Sequence, residues 1–182
     1  YMRRSGAPED VGMMVAVKDR EHARKNPYAH LHIEETMETV RKSPMLWDPI
    51  RYAETCPSSD GAVAMVLSNE ARAKKASKKP AWVHGTALRT ESTFFSGRDQ
   101  VNPQAGKDCA KDLYSQAGIT NPFKEIDTAE IYVPFSWFEP MWLENLGFAE
   151  EGKGWKLTLE GVTKLGGELP INTSGGVLST NP

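Results

Sequence analysis

The residues best placed to do chemistry lie at the end of the chain, in Asn172-Thr173-Ser174-Gly175-Gly176 and the following Val177-Leu178-Ser179-Thr180-Asn181-Pro182. Adjacent glycines flanked by small hydroxylic residues let a backbone bend sharply and approach a ligand closely. Gly175 and Gly176 are therefore expected to shape a binding site. A second feature is the run Lys18, Arg20, His22, Arg24 and Lys25. Such a run ordinarily forms a solvated face. Ser58 and Ser59, in Cys56-Pro57-Ser58-Ser59-Asp60-Gly61, could line a channel or only cap a turn. His22, His30 and His32 lie close together, but no acidic or thiol cluster beside them has metal-site spacing. They read as surface or ligand-edge residues, and no metal site is predicted.

The elements that must position these residues alternate between strand and helix. A helix is expected over 34–42. Gly61 to Leu67 is a continuous apolar run suited to a strand buried on both faces. Asn69 can cap a helix over 70–76. Ala81 to Thr90 reads as a second strand, with His84 as a core or edge histidine. Gln104 to Ala117 reads as a helix stopped by Gly118. Ile126 to Phe135 reads as a third strand, followed by a helix with Ser136 and Glu139 as a capping box and Gly147 as its end. On that helix Trp137, Phe138, Met141, Trp142 and Leu146 have the spacing of a core face; lining a substrate wall is the lesser reading for Trp137 and Phe138. Residues 150–168 read as a glycine-rich hairpin or loop. This alternation predicts an α/β class.

Composition excludes several roles. The 182 residues suffice for one domain with a sizeable core, or parts of two. A net charge of −2 and a pI near 6.1 leave no footprint for nucleic acid. No apolar run has the length of a bilayer-spanning helix. Cys56 and Cys109 make no disulfide framework, so a reducing cytoplasm is the default compartment. Cys56 is expected to be a small buried residue and Cys109 a structural one. The first residue, Tyr1, is not an initiator Met.

Four separated segments together resemble one family. They are Lys18-Asp19-Arg20-Glu21-His22-Ala23-Arg24-Lys25-Asn26-Pro27; Asp48-Pro49 with Cys56-Pro57-Ser58-Ser59-Asp60-Gly61-Ala62-Val63-Ala64; Ala129-Glu130-Ile131-Tyr132-Val133-Pro134-Phe135-Ser136; and Asn172 through Pro182. In order and spacing they resemble motifs of the thiolases, most nearly the sterol-carrier-protein type and the thiolase-like lipid-transfer-protein aldolases. The resemblance implies a thiolase-like fold of two duplicated α/β halves with buried helices and an inserted loop domain. Residues 1–50 would be the end of that loop domain and a linker, 51–103 the end of the first half, and 104–182 an incomplete second half. The family's two catalytic cysteines would lie outside this chain.

The departures from the family pattern bear on activity. Where thiolases carry the histidine of a Gly-His-Pro loop, this chain has Asn181. An amide accepts no proton at neutral pH, but it can donate to an oxyanion. Where the family has a histidine in its His-Asp-Cys-Phe element, this chain has Tyr132, a phenol with a reference pKa of about 10, better suited to acid or donor than to base. Both changes disfavour Cys-dependent Claisen chemistry. They point to retro-aldol cleavage of a bulky, sterol-type β-hydroxyacyl-CoA, with Tyr132 and Asn181 catalytic. The alternatives are an acetyl-CoA acyltransferase using a cysteine outside the chain, and a non-catalytic acyl-CoA-binding subunit. The resemblance further implies contact of Arg24 and Lys25 with the phosphates of coenzyme A, and pantetheine-lining roles for Ser58 and Ser59. It also implies a coenzyme A thioester as substrate with no covalent cofactor, a homodimer, and a small partner bearing an OB-fold and a zinc ribbon.

Overall fold

A computed structural model of the chain describes residues 1–76 and 78–180. The elements are α1 (Met2–Ser5), α2 (Asp10–Ala23), α3 (Met37–Lys42), β1 (Met45–Trp47), β2 (Ile50–Arg51), a 3₁₀ turn (Tyr52–Glu54), α4 (Glu70–Ala73), α5 (Gln104–Ala117), α6 (Pro122–Glu125), α7 (Phe138–Asn145), α8 (Gly154–Leu159) and α9 (Gly176–Thr180).

Helix α2 is the axis of the molecule. Its apolar residues enter three separate clusters. Val11 packs with Ala7 and Trp137, Met13 and Ala16 with Val40, and Val15 with Val133 and Leu178. A helix that packs on several faces keeps little solvent side, and only Asp10 and Glu21 of α2 are exposed. Helices α3, α8 and α9 and the 3₁₀ turn all lie against it. A fourth cluster, Leu143, Phe148, Leu169 and Ile171, joins α7 to the segment before α9.

Helices announced by local signals form where expected. Helix α5 runs over Gln104–Ala117, and Gly118 ends it at φ 72°, with its N–H on the Tyr114 carbonyl. Asn69 caps α4 by accepting from the Arg72 amide at 3.0 Å, although α4 stops at Ala73. Thr36, rather than a residue near 34, caps α3.

The strand expectations are corrected. Residues 61–67 and 81–90 are not strands. Val63 is 96% exposed and Val66 93%. A strand exists only as part of a ladder, and the sheet found among the described residues is the antiparallel pair β1–β2, with Met45 opposite Arg51 and Trp47 opposite Ile50. Residues 126–135 come nearest to a strand, through single bridges from Ala129 to Ile171 and from Phe135 to Thr55. The 150–168 stretch, expected as a hairpin or loop, contains α8, which packs across α7.

The expected capping box before α7 does not form either. The Ser136 hydroxyl donates to Glu54 Oε1 at 2.8 Å, and Glu139 pairs with Lys18. Both side chains are recruited by buried groups on other elements, and the helix entry is closed by the Glu139 amide on the Ser136 carbonyl. The fully buried side of α7 is Glu139, Pro140, Leu143, Glu144 and Asn145, while Phe138, Met141 and Trp142 are half-buried.

Candidate functional site

The site is built on the last turns of α2. Lys18 is 1% exposed. Its ammonium lies 2.6 Å from Asp19 Oδ1 and 3.0 Å from Glu139 Oε2, and donates to the Ile171 carbonyl at 3.0 Å. Arg20 and His22 are buried as well. The solvated face expected for this run is therefore confined to Arg24 and Lys25. The reason is charge compensation: a lysine leaves water when carboxylates and a carbonyl satisfy it, and one of those carboxylates is on a distant helix. Burial opposes the charge on Lys18, yet Asp19 and Glu139 hold its pKa above the ordinary lysine value. Burial pushes the Asp19 carboxyl up to about 7, with Lys18 opposing. The second carboxylate, Glu139, adds to that rise by repelling a charge on Asp19.

His22 is a buried connector, not a surface residue. Its Nε2 accepts from the Leu165 amide at 3.1 Å. That amide can only donate, so Nδ1 carries the proton and donates to the Asn172 carbonyl at 3.0 Å. Burial, then the charge of Lys18, lowers the His22 pKa. A base with a depressed folded pKa adds stability above its unfolded pKa and loses it as pH falls. The unfolding free energy of the parent relative to His22→Gln is thus expected to shrink between about pH 8 and about pH 5, as read by urea titration at each pH.

The glycine loop rides on the end of this helix. Asn172 is fully buried with φ 54°. Its amide nitrogen Nδ2 donates to Asp19 Oδ2 at 3.4 Å, and its Oδ1 accepts from the Ile131 amide at 2.8 Å. Glu130 holds the next two residues, accepting from the Thr173 and Ser174 hydroxyls and the Ser174 amide at 2.7–3.0 Å. Asn26 donates to the Ser174 carbonyl at 2.9 Å. Gly175 has φ 99°, and a Cβ there would lie 2.6 Å from Ala23 Cβ and 2.8 Å from its Cα. Only glycine allows both that dihedral and that approach. At Gly176, φ 55°, a Cβ would strike the Asn172 side chain. Helix α9 follows. Arg20 donates to Ser179 Oγ at 2.9 Å and, with its other arm, to the Thr55 carbonyl at 3.3 Å. The next residue, Cys56, bonds its amide to the Pro134 carbonyl at 3.0 Å.

Among the described residues, the fold ties the segments that bear expected site residues to the end of α2 or to one another. Gly175 touches the end of the helix at Ala23, and Gly176 lies against Asn172. Arg24 and Lys25 follow its last turn, beside Asn26. Tyr132 follows Ile131, which is pinned by Asn172. Ser58 and Ser59 follow Cys56, which is pinned to Pro134. The side chains are less closely gathered: Arg24, Lys25, Ser58 and Tyr132 are exposed, Tyr132 at 55% with its carbonyl accepting from Trp142 Nε1 at 2.8 Å. Asn181 lies outside the described residues. Cys56 and Cys109 are half-buried free thiols.

Residues missed at the sequence level are Lys18, Asp19, Glu139 and His22 as a buried network, and Asn172 as its link to the loop. Only Asn172 carried a local hint, since Asn tolerates a left-handed backbone before a glycine turn.

A cleft of about 650 Å³ has walls that include Ile50, Phe135, Trp137, Phe138 and Met141, with Arg3, Asp48 and Glu9, the residue before α2, also at it. Trp137 also packs in the core, and its buried Nε1 has no hydrogen-bond partner among the described residues. Trp137 and Phe138 thus pack in the core, as their helical spacing predicted, and also line this cleft.

Residues 85–182 match the family described as thiolase C-terminal domain-like. The chain belongs to this family. Among curated thiolase-like relatives it is 32% identical over 185 residues to the 17-hydroxy-3-oxo-4-pregnene-20-carboxyl-CoA lyase of Mycobacterium tuberculosis, covering 98% of this chain and 47% of the relative. It is 31% identical over 178 residues to the acetyl-CoA acetyltransferase of Methanothermobacter thermautotrophicus, covering 97% and 46%. The solved structure of an Ltp2-ChsH2(DUF35) aldolase superposes with a TM-score of 0.92 at 30% identity, over 100% of this chain and 48% of that one. The chain spans about half the length of the curated relatives it matches. The superposition covers the whole of this chain, so the thiolase-like fold holds although 61–67 and 81–90 form no ladder among the described residues.

Proposed function

We propose that this chain serves a thiolase-fold lyase that cleaves a bulky β-hydroxyacyl-CoA by retro-aldol reaction. The observation that carries this reading is the pinning of the Tyr132 segment to the glycine loop through Asn172. In the reaction the β-hydroxyl loses its proton, the Cα–Cβ bond breaks, and the β-carbon becomes a ketone. The bonding pair passes into the thioester as an enolate, which takes a proton at Cα to leave a shortened acyl-CoA. Tyr132 relays the hydroxyl proton, and the Asn181 amide donates to the enolate oxygen. Both are within the scope of a phenol and an amide, and neither step needs an acyl-cysteine.

The cleft suits a fused-ring or aromatic acyl group, since such a wall rewards large apolar surfaces. Arg24 and Lys25 would meet the coenzyme A phosphates, and Gly175, Gly176, Ser58 and Ser59 the pantetheine arm. The name of the solved relative couples Ltp2 with ChsH2(DUF35), which supports a small partner subunit; a homodimer and a cytoplasmic site belong to the same reading. The likeness to an acetyltransferase supports acyl transfer to coenzyme A as the second reading.

The test is to supply the full-length protein and its partner with a β-hydroxyacyl-CoA bearing a fused-ring group. Ketone release with a matching yield of shortened acyl-CoA is expected. Thiolysis of a 3-ketoacyl-CoA without any such cleavage would establish the second reading instead.

A further inference from the structure

We infer that Asn172 is a positioning residue that couples the two segments carrying the reacting groups, Tyr132 and the glycine loop, and references both to α2. This rests on the lyase reading for its catalytic consequence, though not for the coupling itself. Each polar group of Asn172 is used, and each goes to a different place. The backbone N–H donates to the Ala129 carbonyl at 2.9 Å, and the carbonyl accepts from the Gly175 amide at 2.9 Å. The same carbonyl accepts from His22 Nδ1. The side chain accepts from Ile131 and donates to Asp19. A single buried residue therefore sets where Tyr132 begins, where the Gly175 turn closes, and how both sit against the Lys18–Asp19–Glu139 cluster. Gly176 is shaped to fit it, because any Cβ there would fall within 2.9 Å of the Asn172 side chain.

Asn172→Gly is the diagnostic variant. Glycine adopts φ 54° without strain and keeps the backbone bonds, so it deletes only the side-chain links. Amide hydrogen exchange on the full-length protein is expected to speed up by about tenfold at Ile131 and across 172–178 together, as befits the loss of the two side-chain hydrogen bonds, with α5 unchanged. Exchange that is unaltered at Ile131, or accelerated equally in α5, overturns the coupling. On a β-hydroxyacyl-CoA the same variant is expected to lose about 10²-fold in kcat with KM little changed, the cost of a small misplacement of a reacting group. Parent-like kcat in the folded variant overturns the positioning role. If the parent cleaves no such thioester, the lyase reading falls, and exchange still decides the coupling.

Discussion

Lys18→Met is expected to cost about 3–5 kcal/mol of unfolding free energy, because it leaves Asp19 and Glu139 buried without their cation. That is a large share of the roughly 5–15 kcal/mol that holds a domain together. Urea unfolding followed by tryptophan fluorescence measures it, since Trp137 packs against α2. The origin of the loss is also testable. Asp19 already titrates near 7, above its reference value of 3.8. A carboxyl whose folded pKa is raised contributes stability at low pH and loses it as pH climbs from the unfolded value through the folded one. Removing Lys18 raises that folded pKa further. The deficit of Lys18→Met should therefore grow as pH rises above about 7, where Asp19 is ionised in the parent but still protonated in the variant, and level off on acidification below that. The triple variant Lys18→Met, Asp19→Asn, Glu139→Gln should recover much of the loss, because nothing charged is left uncompensated. A deficit independent of pH would mean that lost packing of the aliphatic stem dominates.

Tyr132→Phe should lower kcat for β-hydroxyacyl-CoA cleavage by about 10²-fold or more, the scale of a missing acid–base group. Stability should stay within about 0.5 kcal/mol of the parent, as for an exposed residue. The ring is 55% exposed, and the bond that anchors this position is made by its carbonyl to Trp142, which the substitution leaves in place. The pair of measurements separates chemistry from folding. Unchanged turnover would remove Tyr132 from the mechanism, and a parallel loss of stability would show that the phenol packs after all.

How much of this was legible depends on how local each signal is. The Gln104–Ala117 helix ends at Gly118 because a left-handed residue is needed there, and that requirement is written in adjacent residues. The Asn69 cap is local in the same way. The four family motifs pointed to the thiolase-like fold by their order and spacing. Strands were not legible to the same degree. The apolar run at 61–67 has strand character, but a strand depends on a neighbour that its own residues do not specify.

The candidate site divides along the same line. The sequence by itself determined the types of group available: a phenol at 132, an amide at 181, a glycine pair at 175–176, and a fold in which they belong together. Only the tertiary structure decided that Lys18, Arg20 and His22 are buried, that Glu139 compensates a lysine instead of capping a helix, and that Asn172 ties the Tyr132 segment to the loop. A charge reads as solvated until its partner is known, and here the partners come from α7, from α9 and the segment before it, and from Thr55, brought to α2 only by folding.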